Sequence, residues 1–258
     1  MPATTPAKPL KVWGDLQPPN PYKIAFVLRE LSIPYEVVPM AHKDIKAPPF
    51  LAVNPNGRLP ALHDPNTGLT IWESAAIIEY LIATYDTEHK MSFPAGTIEH
   101  WHTIQWLHFQ ASGQGPYYGQ GVWFQVYHEE KLPSAIERYK NEVRRVCGVL
   151  EGWLGGTLGT DVGEGKVREY LVGDKYTFAD VAFVPWQLAI TTIMEWSGAT
   201  WDEEKEFPHM HRWLQRITSR DVVKATIAEK DALWAATKKA EAEAAKKEEE
   251  AKKAQEGK

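Results

Sequence analysis

The residues best placed to do chemistry lie in two short segments of the first third of the chain. Residues 54–62 read Asn-Pro-Asn-Gly-Arg-Leu-Pro-Ala-Leu, a polar turn followed by a Leu-Pro bond and an apolar stretch. Because an X-Pro bond has a realistic cis form, we expect a cis bond between Leu59 and Pro60, which turns the Leu59 N–H and C=O toward an extended peptide. Glu73 and Ser74 then open a predicted helix, whose free N–H groups and dipole favour a carboxylate. Together the segments predict a site for a small peptide with a charged end.

The elements around these segments predict a small α/β unit. Apolar and β-branched runs predict four short strands, at residues 10–13, 35–38, 61–63 and 70–72. Asn20 is expected to cap a first helix that has Pro21 at its first position. An irregular or short helical stretch is predicted at residues 48–51, and a longer helix at residues 74–85. The order strand-helix-strand-helix-strand-strand-helix fits a thioredoxin-like unit.

From His100 onward the chain has helical spacing without strand alternation, which predicts an all-α unit. Helices are predicted at residues 100–111, 133–154, 209–217 and 221–234. Thr177, with Asp180 three residues later, resembles a capping box and opens a further helix. Residues 113–116, Gly-Gln-Gly-Pro, are expected to break the helical pattern and to begin a Gly-rich loop with aromatic side chains.

The predicted organisation has four parts. They are a flexible lead at residues 1–9, a thioredoxin-like domain at 10–88, an all-α domain at 95–236 and a charged tail at 237–258. The tail contains only Lys, Glu, Ala, Gln and Gly after its first threonine. Such a segment has high helix propensity but no apolar face to bury, so we expect a solvated, fraying helix that can be removed at little cost in stability.

Composition narrows the classes of protein. The chain has 258 residues, 43% of them hydrophobic, which suffices for two domains with their own cores. A net charge of −5 does not favour binding to nucleic acid or to an anionic membrane. Cys147 is the only cysteine, which excludes an internal disulfide and CxxC chemistry. No metal site is predicted, because His100, His102 and His108 lack partners at a metal-binding spacing. A reducing compartment, the cytoplasm, fits this cysteine usage.

The two site segments, in this order, resemble the glutathione-binding half of the glutathione transferases. Residues 19–23, Pro-Asn-Pro-Tyr-Lys, resemble the Pro-Asn-Gly-aromatic-Lys motif of one group in that superfamily. That group contains the fungal proteins related to the yeast nitrogen-catabolite regulator and the bacterial nu class, and Pro21 stands where its motif has Gly. Further similarity lies at residues 50–60, 72–77, 105–116, 135–139 and 177–180, so the resemblance covers residues 10–234.

The resemblance implies that Asn20 is the catalytic residue. In a thioredoxin-like unit the ligand chemistry lies where the first strand runs into the first helix, and residues 14–20 contain no Cys, Ser, Thr or Tyr. The Asn20 amide is a two-donor group, and a donor beside a thiolate lowers the pKa of the thiol. The positive end of the helix dipole acts in the same direction. From the residues alone, a purely structural role as a helix cap is the alternative for Asn20.

The resemblance also implies a set of contacts to glutathione, the expected co-substrate. Asn20 is expected on the sulfur, the Leu59 backbone on the cysteinyl unit, and Glu73 with Ser74 on the γ-glutamyl end. Ile45 stands where the family often has a His or Gln that reaches the peptide, so Lys43 or Lys46 is the expected substitute. The predicted glutathione-binding residues are Asn20, Lys46, Arg58, Leu59, Pro60, Glu73 and Ser74.

An apolar acceptor pocket is expected between the two domains. Its predicted lining residues are Gln17, Trp106, Gln110, Tyr117, Tyr118 and Trp123. The expected reaction is attack of a bound glutathione thiolate on an electrophilic small molecule, and the resemblance implies a homodimer. The alternatives are a glutathione-dependent disulfide reductase or peroxidase, a biosynthetic transferase, and a non-catalytic regulatory or binding protein that keeps the glutathione site.

Overall fold

The computed structural model describes residues 6–14, 18–41, 43–159 and 165–256. In these ranges a thioredoxin-like unit is followed by an all-helical unit, as the sequence predicts. The strands are β1 (Leu10–Trp13), β2 (Tyr35–Val38), β3 (Ala61–Asp64) and β4 (Leu69–Trp72). The helices of the first unit are α1 (Pro19–Glu30), α2 (Pro48–Leu51) and α3 (Ser74–Tyr85), with a 3-10 turn at Asp44–Lys46.

The strands form one mixed sheet with the order β2-β1-β3-β4. β1 runs parallel to β2, because α1 carries the chain back across the sheet, and Val12 lies opposite Val37. β3 is antiparallel to β1 and to β4. A hairpin turn joins β3 to β4 and closes on Gly68 at a φ of +78°, where glycine carries no steric cost.

Helix α1 is buried along almost its whole length. It packs against α3 of its own unit and against α7 (Phe178–Gln187) of the helical unit. Helix α1 therefore lies at the junction of the two units. Tyr22, Ile24 and Phe26 are each at most 1% exposed. Two charged side chains, Lys23 and Glu30, are buried on the same helix.

The helical unit begins with a long continuous helical segment. Its helices are α4 (Ile98–Phe109), α5 (Gly115–Val122), α6 (Pro133–Leu154), α7 (Phe178–Gln187), α8 (Ile190–Trp196), α9 (Glu203–Glu206), α10 (Pro208–Thr218) and α11 (Asp221–Glu256). The predicted break at residues 113–116 is wrong, because π-helical turns at Gln110–Gln114 and Trp123–Tyr127 continue the helix on either side of α5. Pro116 lies in the first turn of α5, and proline is tolerated at such a position.

The predicted capping box at the start of α7 is confirmed. The Asp180 carboxylate accepts hydrogen bonds from the Thr177 N–H and from the Leu171 N–H, both at 2.9 Å. It also accepts one from Trp213 Nε1 at 2.9 Å. Burial raises the pKa of Asp180, while these hydrogen bonds act in the opposite direction. The carboxylate therefore ties α7 to α10 as well as capping its own helix.

Helix α11 returns to the first unit and continues into the tail. Arg29 of α1 pairs with Glu229 at 2.5 Å, and Arg220 pairs with Glu30 at 3.1 Å. The helix runs on to residue 256, and side chains 238–240 at the start of the predicted tail are exposed. That the tail can be removed at little cost stays a prediction. In the described ranges, no helix is long and apolar enough to cross a membrane.

Candidate active site

The loop before β3 is built around the side chain of Asn54, which is 1% exposed. Its Nδ2 donates to the Arg58 carbonyl at 2.6 Å, and its Oδ1 accepts from the Asn56 N–H at 2.9 Å. Gly57 has a φ of +58°, and a Cβ there would stand 2.9 Å from the Ile45 carbonyl oxygen. The loop therefore requires glycine at this position.

This loop presents the predicted peptide-binding segment. The Leu59–Pro60 bond is cis, as expected from the sequence. Pro60 is buried, Leu59 is half-buried and the side chain of Arg58 is exposed. Lys46 is also exposed, and its Nζ donates to the Asn56 carbonyl at 3.0 Å, which holds the lysine against the turn. Lys46 therefore borders the loop that carries Leu59.

Glu73 and Ser74 lie side by side at the start of α3. Glu73 is exposed and has a φ of +72°, a conformation that non-glycine residues adopt rarely. Such strain, about 1–3 kcal/mol, persists where the surrounding structure imposes it, and it is concentrated at functional sites. Asn56 Nδ2 donates to Glu73 Oε1 at 3.4 Å, so the carboxylate faces the loop of residues 54–60. Ser74 is 9% exposed. The Glu73 carboxylate can thus pair with an ammonium group of a ligand. Beside it, the Ser74 hydroxyl and the free amides at the start of α3 can bind a carboxylate of the ligand.

A buried lysine lies beneath this helix start. Lys23 of α1 is 1% exposed. Its Nζ donates to Gln110 Oε1 at 2.6 Å and to Ser74 Oγ at 3.4 Å. Burial lowers the pKa of Lys23 from 10.5 to about 7, while the Glu73 carboxylate acts in the opposite direction. The ammonium therefore connects the start of α3 with the π-helical turn of the other unit.

The contact with Gln110 continues into a chain of buried polar side chains. Gln110 Nε2 donates to Gln114 Oε1, and Gln114 Nε2 donates to Gln187 Oε1, both at 2.8 Å. Tyr118 donates to Gln187 Oε1 at 3.0 Å and lies 3.2 Å from Cys147 Sγ. Cys147 is buried, and burial raises the pKa of its thiol to about 12, which makes it a poor nucleophile.

Asn20 is not the cap of α1 that the sequence predicts. Pro18 is the N-cap residue in extended conformation, Pro19 begins the helix, and Asn20 occupies its second position. Asn20 Oδ1 instead accepts a hydrogen bond from Trp186 Nε1 of α7 at 3.4 Å. The contact engages the amide oxygen of Asn20 and not its two N–H donors. The side chain therefore offers donors at the junction of β1 and α1.

Trp186 packs on a face of α5 that consists of glycines. A Cβ on Gly119 would lie 3.5 Å from the Trp186 ring, and one on Gly115 would lie 3.6 Å from its Nε1. The ring of Tyr118 meets Trp186 edge-on at 6.3 Å. Trp123 is 49% exposed and lies one turn beyond Gly119 on the same helical segment. Small residues thus flank the indole that orients Asn20.

Three of the predicted acceptor-pocket residues lie in the core. They are Trp106, Gln110 and Tyr118, which are 4%, 0% and 0% exposed. Trp106 packs against Phe183 of α7 at 6.1 Å between ring centroids. The sequence predicts that these positions line a pocket because it places them on the first helix of the helical unit or in the loop expected after it. The continuous helix turns this face toward α7, where the three side chains are buried, and their role in an acceptor pocket stays a prediction.

The other predicted acceptor residues differ in how exposed they are. Tyr117 is half-buried and packs against Tyr139 of α6, with ring centroids 6.4 Å apart. Trp123 is exposed on the segment that follows α5. Gln17 lies outside the described residues. Among the described members of this set, Trp123 is the most exposed side chain, and it lies near the glycine face of α5.

Sequence reasoning missed Lys23 and Trp186 as parts of the site. The signal for Lys23 was present, because it is the one charged residue within the apolar run 21–28 and lies three residues after Asn20, on the same side of a helix. Trp186 gives no such signal, since it ends an apolar run that reads as core. Only the packing of α7 against α1 brings its indole to Asn20.

Comparisons with known proteins agree with this architecture. Residues 8–83 match the family model of the glutathione S-transferase N-terminal domain, and residues 116–221 match that of the C-terminal domain. A glutathione S-transferase-like protein, gedE of Aspergillus terreus, is 50% identical over 220 residues, which cover 85% of this chain and 95% of that protein.

Solved structures give the same result. The glutathione transferase URE2P8 from Phanerochaete chrysosporium, solved with oxidized glutathione, is 40% identical with a TM-score of 0.80, and the match covers 90% of this chain and 99% of that one. Ure2p5 from the same organism, cocrystallized with 1-(S-glutathionyl)-2,4-dinitrobenzene, is 37% identical with a TM-score of 0.76, covering 89% and 97%. The two family models, together with these relatives, show that the chain belongs to the glutathione S-transferase family, among its Ure2-like and fungal members.

Proposed function

We propose that this protein is a glutathione transferase that activates the glutathione thiol through Asn20 and transfers it to an apolar, electrophilic small molecule. The observation that carries the proposal is the hydrogen bond from Trp186 to Asn20 Oδ1, which engages the amide oxygen. We assign the amide N–H donors to the glutathione sulfur at the start of α1. A hydrogen bond to the thiolate, together with the helix dipole, favours the charged and more nucleophilic form.

Glutathione is held by its backbone and by its γ-glutamyl end. The Leu59 N–H and C=O pair with the cysteinyl unit, beside the cis Pro60. The Glu73 carboxylate takes the ammonium group, and the Ser74 hydroxyl with the first amides of α3 takes the carboxylate. At the glycyl end, Lys46 and Arg58 are cations that border the same loop, and Ile45 is buried and cannot serve there.

The reaction forms one carbon–sulfur bond and breaks one bond to a leaving group. The thiolate sulfur attacks the electrophilic carbon, and the leaving group departs with its electron pair, as chloride does from a chloronitrobenzene. The related Ure2p5 cocrystallized with a glutathionyl-dinitrobenzene supports this acceptor class. We place the acceptor beside the exposed Trp123, next to the part of α5 on which Trp186 packs.

A second candidate is the reduction of disulfides by glutathione. It is favoured by the burial of Cys147, which leaves bound glutathione as the attacking thiolate, and by the oxidized glutathione in the related URE2P8 structure. One glutathione would attack the disulfide to give a mixed disulfide and a free thiol. A second would then release the other thiol and form oxidized glutathione. Peroxidase activity, a biosynthetic transfer and a regulatory binding role are the further alternatives.

We also propose a homodimer, which the family resemblance implies, and a location in the cytoplasm, which the cysteine usage favours. The proposed domains are a thioredoxin-like domain at residues 10–88 and an all-α domain at 95–236. These assignments do not depend on which acceptor is correct.

The test compares three acceptors side by side. Turnover is measured with a chloronitrobenzene, with hydroxyethyl disulfide and with a hydroperoxide, for the wild type, for Asn20→Ala and for Asn141→Ala. Asn141 is an exposed asparagine of α6 and serves as the matched control. We expect turnover of the chloronitrobenzene that falls in Asn20→Ala and stays unchanged in Asn141→Ala. Turnover of the disulfide alone would favour the second candidate, and binding of glutathione without any turnover would favour the regulatory role.

A further inference from the structure

Lys23 is buried as deeply as the aromatic residues around it. It is 1% exposed, and it extends from α1 to meet the first residue of α3 and the π-helical turn after α4. Burying an ammonium group is costly unless its charge and its three donors are satisfied. In the contacts with Gln110 and Ser74, two of the three N–H donors of Lys23 are directed at neutral oxygens. Within the described ranges, no carboxylate lies within ion-pair distance of Nζ, and the nearby charged group is the Glu73 carboxylate, whose field acts on Lys23 without direct contact.

The direction of the Ser74 contact has a consequence for the hydroxyl. Ser74 Oγ accepts from Lys23, so one of its lone pairs faces the interior. The hydroxyl proton is then directed away from the lysine, toward the open side of the start of α3. On that side, free backbone amides and the helix dipole already favour an anion.

We propose that Lys23 is a positioning residue for the γ-glutamyl carboxylate of glutathione, acting through Ser74 and supplying the positive charge beneath it. This inference rests on the proposed function. The carboxylate would provide the negative charge that the buried ammonium lacks, while Glu73 is occupied by the ammonium group of the same ligand. Through Gln110, the same lysine joins the occupied site to the helical unit.

The charge balance of the free protein supports this assignment. Burial holds the pKa of Lys23 at about 7, so about half of the free molecules carry a neutral lysine at that pH. A carboxylate that arrives beside Ser74 favours the charged form. Binding of glutathione is therefore expected to be accompanied by uptake of a proton, and a ligand without that carboxylate should take up none.

The test uses two probes that differ only in the carboxylate. S-methylglutathione has no thiol to ionise, and S-methylated 4-aminobutanoyl-Cys-Gly keeps the amine but lacks the carboxylate. Dissociation constants are measured for the wild type, for Lys23→Met and for Lys175→Met. Lys175 is a matched control, because its Nζ also bridges two distant segments by donating to the His89 carbonyl at 2.6 Å.

We expect Lys23→Met to raise the dissociation constant of S-methylglutathione by about 10- to 100-fold, the effect expected when a hydrogen bond to a charged group is lost. The dissociation constant of the second probe should change by less than about 3-fold. Lys175→Met should change neither. Equal weakening of both probes by Lys23→Met would mean a merely structural lysine and would overturn the inference. If the wild type binds neither probe nor glutathione, the proposed function fails as well, which separates the two failures.

Calorimetry on the wild type covers the case in which Lys23→Met does not fold. Titrations of both probes near pH 7, in buffers with different ionisation enthalpies, give the number of protons taken up. We expect about half a proton for S-methylglutathione and none for the probe that lacks the carboxylate. The titrations are repeated from about pH 6 to about pH 9, and equal uptake with both probes throughout this range, zero included, would overturn the inference without any variant.

Discussion

The indole Nε1 of Trp186 donates a hydrogen bond to Asn20 Oδ1 across 3.4 Å, and this contact joins α7 of the helical unit to the start of α1. It decides which atoms of the amide face the β1–α1 junction. A tryptophan of the second unit thus orients the residue that we propose to activate the thiol in the first.

Trp186→Phe should weaken thiol activation without weakening glutathione binding. The substitution removes one neutral hydrogen bond, worth about 0.5–1.5 kcal/mol, so we expect turnover to fall by about 2- to 10-fold. The pKa of the bound thiol should rise, as followed by thiolate absorbance near about 240 nm. The affinity for S-methylglutathione should stay unchanged.

Trp153→Phe is the matched control for Trp186→Phe. The Trp153 Nε1 donates to the Leu171 carbonyl at 2.8 Å, so that variant also loses one indole hydrogen bond. It should leave the pKa of the bound thiol unchanged. A Trp186→Phe enzyme with wild-type turnover and thiol pKa would show that Asn20 is oriented by other contacts.

Asn20→Ala should lower turnover at little cost in folding. Removing a donor to a developing or stabilised anion costs up to about 3 kcal/mol in the transition state. Because Asn20 is the second residue of α1 and not its cap, no cap is lost. Urea unfolding should therefore show only the loss of the hydrogen bond from Trp186, about 0.5–1.5 kcal/mol, as in Trp186→Phe.

Asn20→Asp separates the amide donors from the rest of the side chain. The carboxylate can still accept from Trp186, but it places negative charge where the amide N–H groups were. We expect the pKa of the bound thiol to rise further than in Asn20→Ala. A thiol pKa and rate equal to those of the wild type in Asn20→Asp would remove Asn20 from the sulfur site.

Glu73→Gly should stabilise the fold while it abolishes tight binding. Glycine adopts the φ of +72° without the steric cost that any other residue carries there. We therefore expect Glu73→Gly to be more stable than Glu73→Ala by about 1 kcal/mol in urea unfolding. Both variants should bind S-methylglutathione much more weakly, because the ammonium group loses its partner.

The control for Glu73→Gly is an exposed glutamate in the first turn of a regular helix. Glu99 of α4 meets this description, so Glu99→Gly should be less stable than Glu99→Ala by up to about 1 kcal/mol. The opposite signs at the two positions are the critical result. Equal effects of glycine at both would mean that Glu73 stores no strain.

The sequence predicts the parts of the site that depend on local chemistry. The Leu59–Pro60 bond, the helix that begins at Ser74 and the capping box of Thr177 with Asp180 each follow from neighbouring residues, and each is observed. The acceptor residues could not be placed in this way, because a π-helical turn keeps the helix continuous through Gly113. Turn signals from glycine and proline predict a break there, whereas packing against α7 favours the helix.

The contacts of Lys23 and Asn20 also could not be predicted from local sequence patterns. Each residue lies in the predicted motif, but its contact comes from a residue far along the chain, Gln110 for the lysine and Trp186 for the asparagine. Local patterns carry no information about such contacts. The cap role expected for Asn20 fails for a related reason, since Pro18 and Pro19 begin the helix two residues earlier than Pro21 would.

The buried lysine should make the stability of the free protein depend on pH. The pKa of Lys23 is lowered to about 7 in the folded state from 10.5, so between these values the unfolded state binds more protons. The free energy of unfolding therefore rises with pH in this window and is lowest, from this cause, at and below the folded pKa. Between about pH 7 and about pH 9.5 the free energy of unfolding of the wild type should rise by about 3 kcal/mol relative to that of Lys23→Met.

Urea unfolding of the wild type, Lys23→Met and Lys175→Met at these two pH values measures the gain, because the contributions of all other groups cancel in the difference between variants. Lys175→Met should follow the wild type. Saturating S-methylglutathione should reduce the pH dependence, since the proposed carboxylate keeps Lys23 charged and removes the cause of its low pKa. A wild type and Lys23→Met with parallel pH profiles would show that the buried amine stays fully protonated in the free protein.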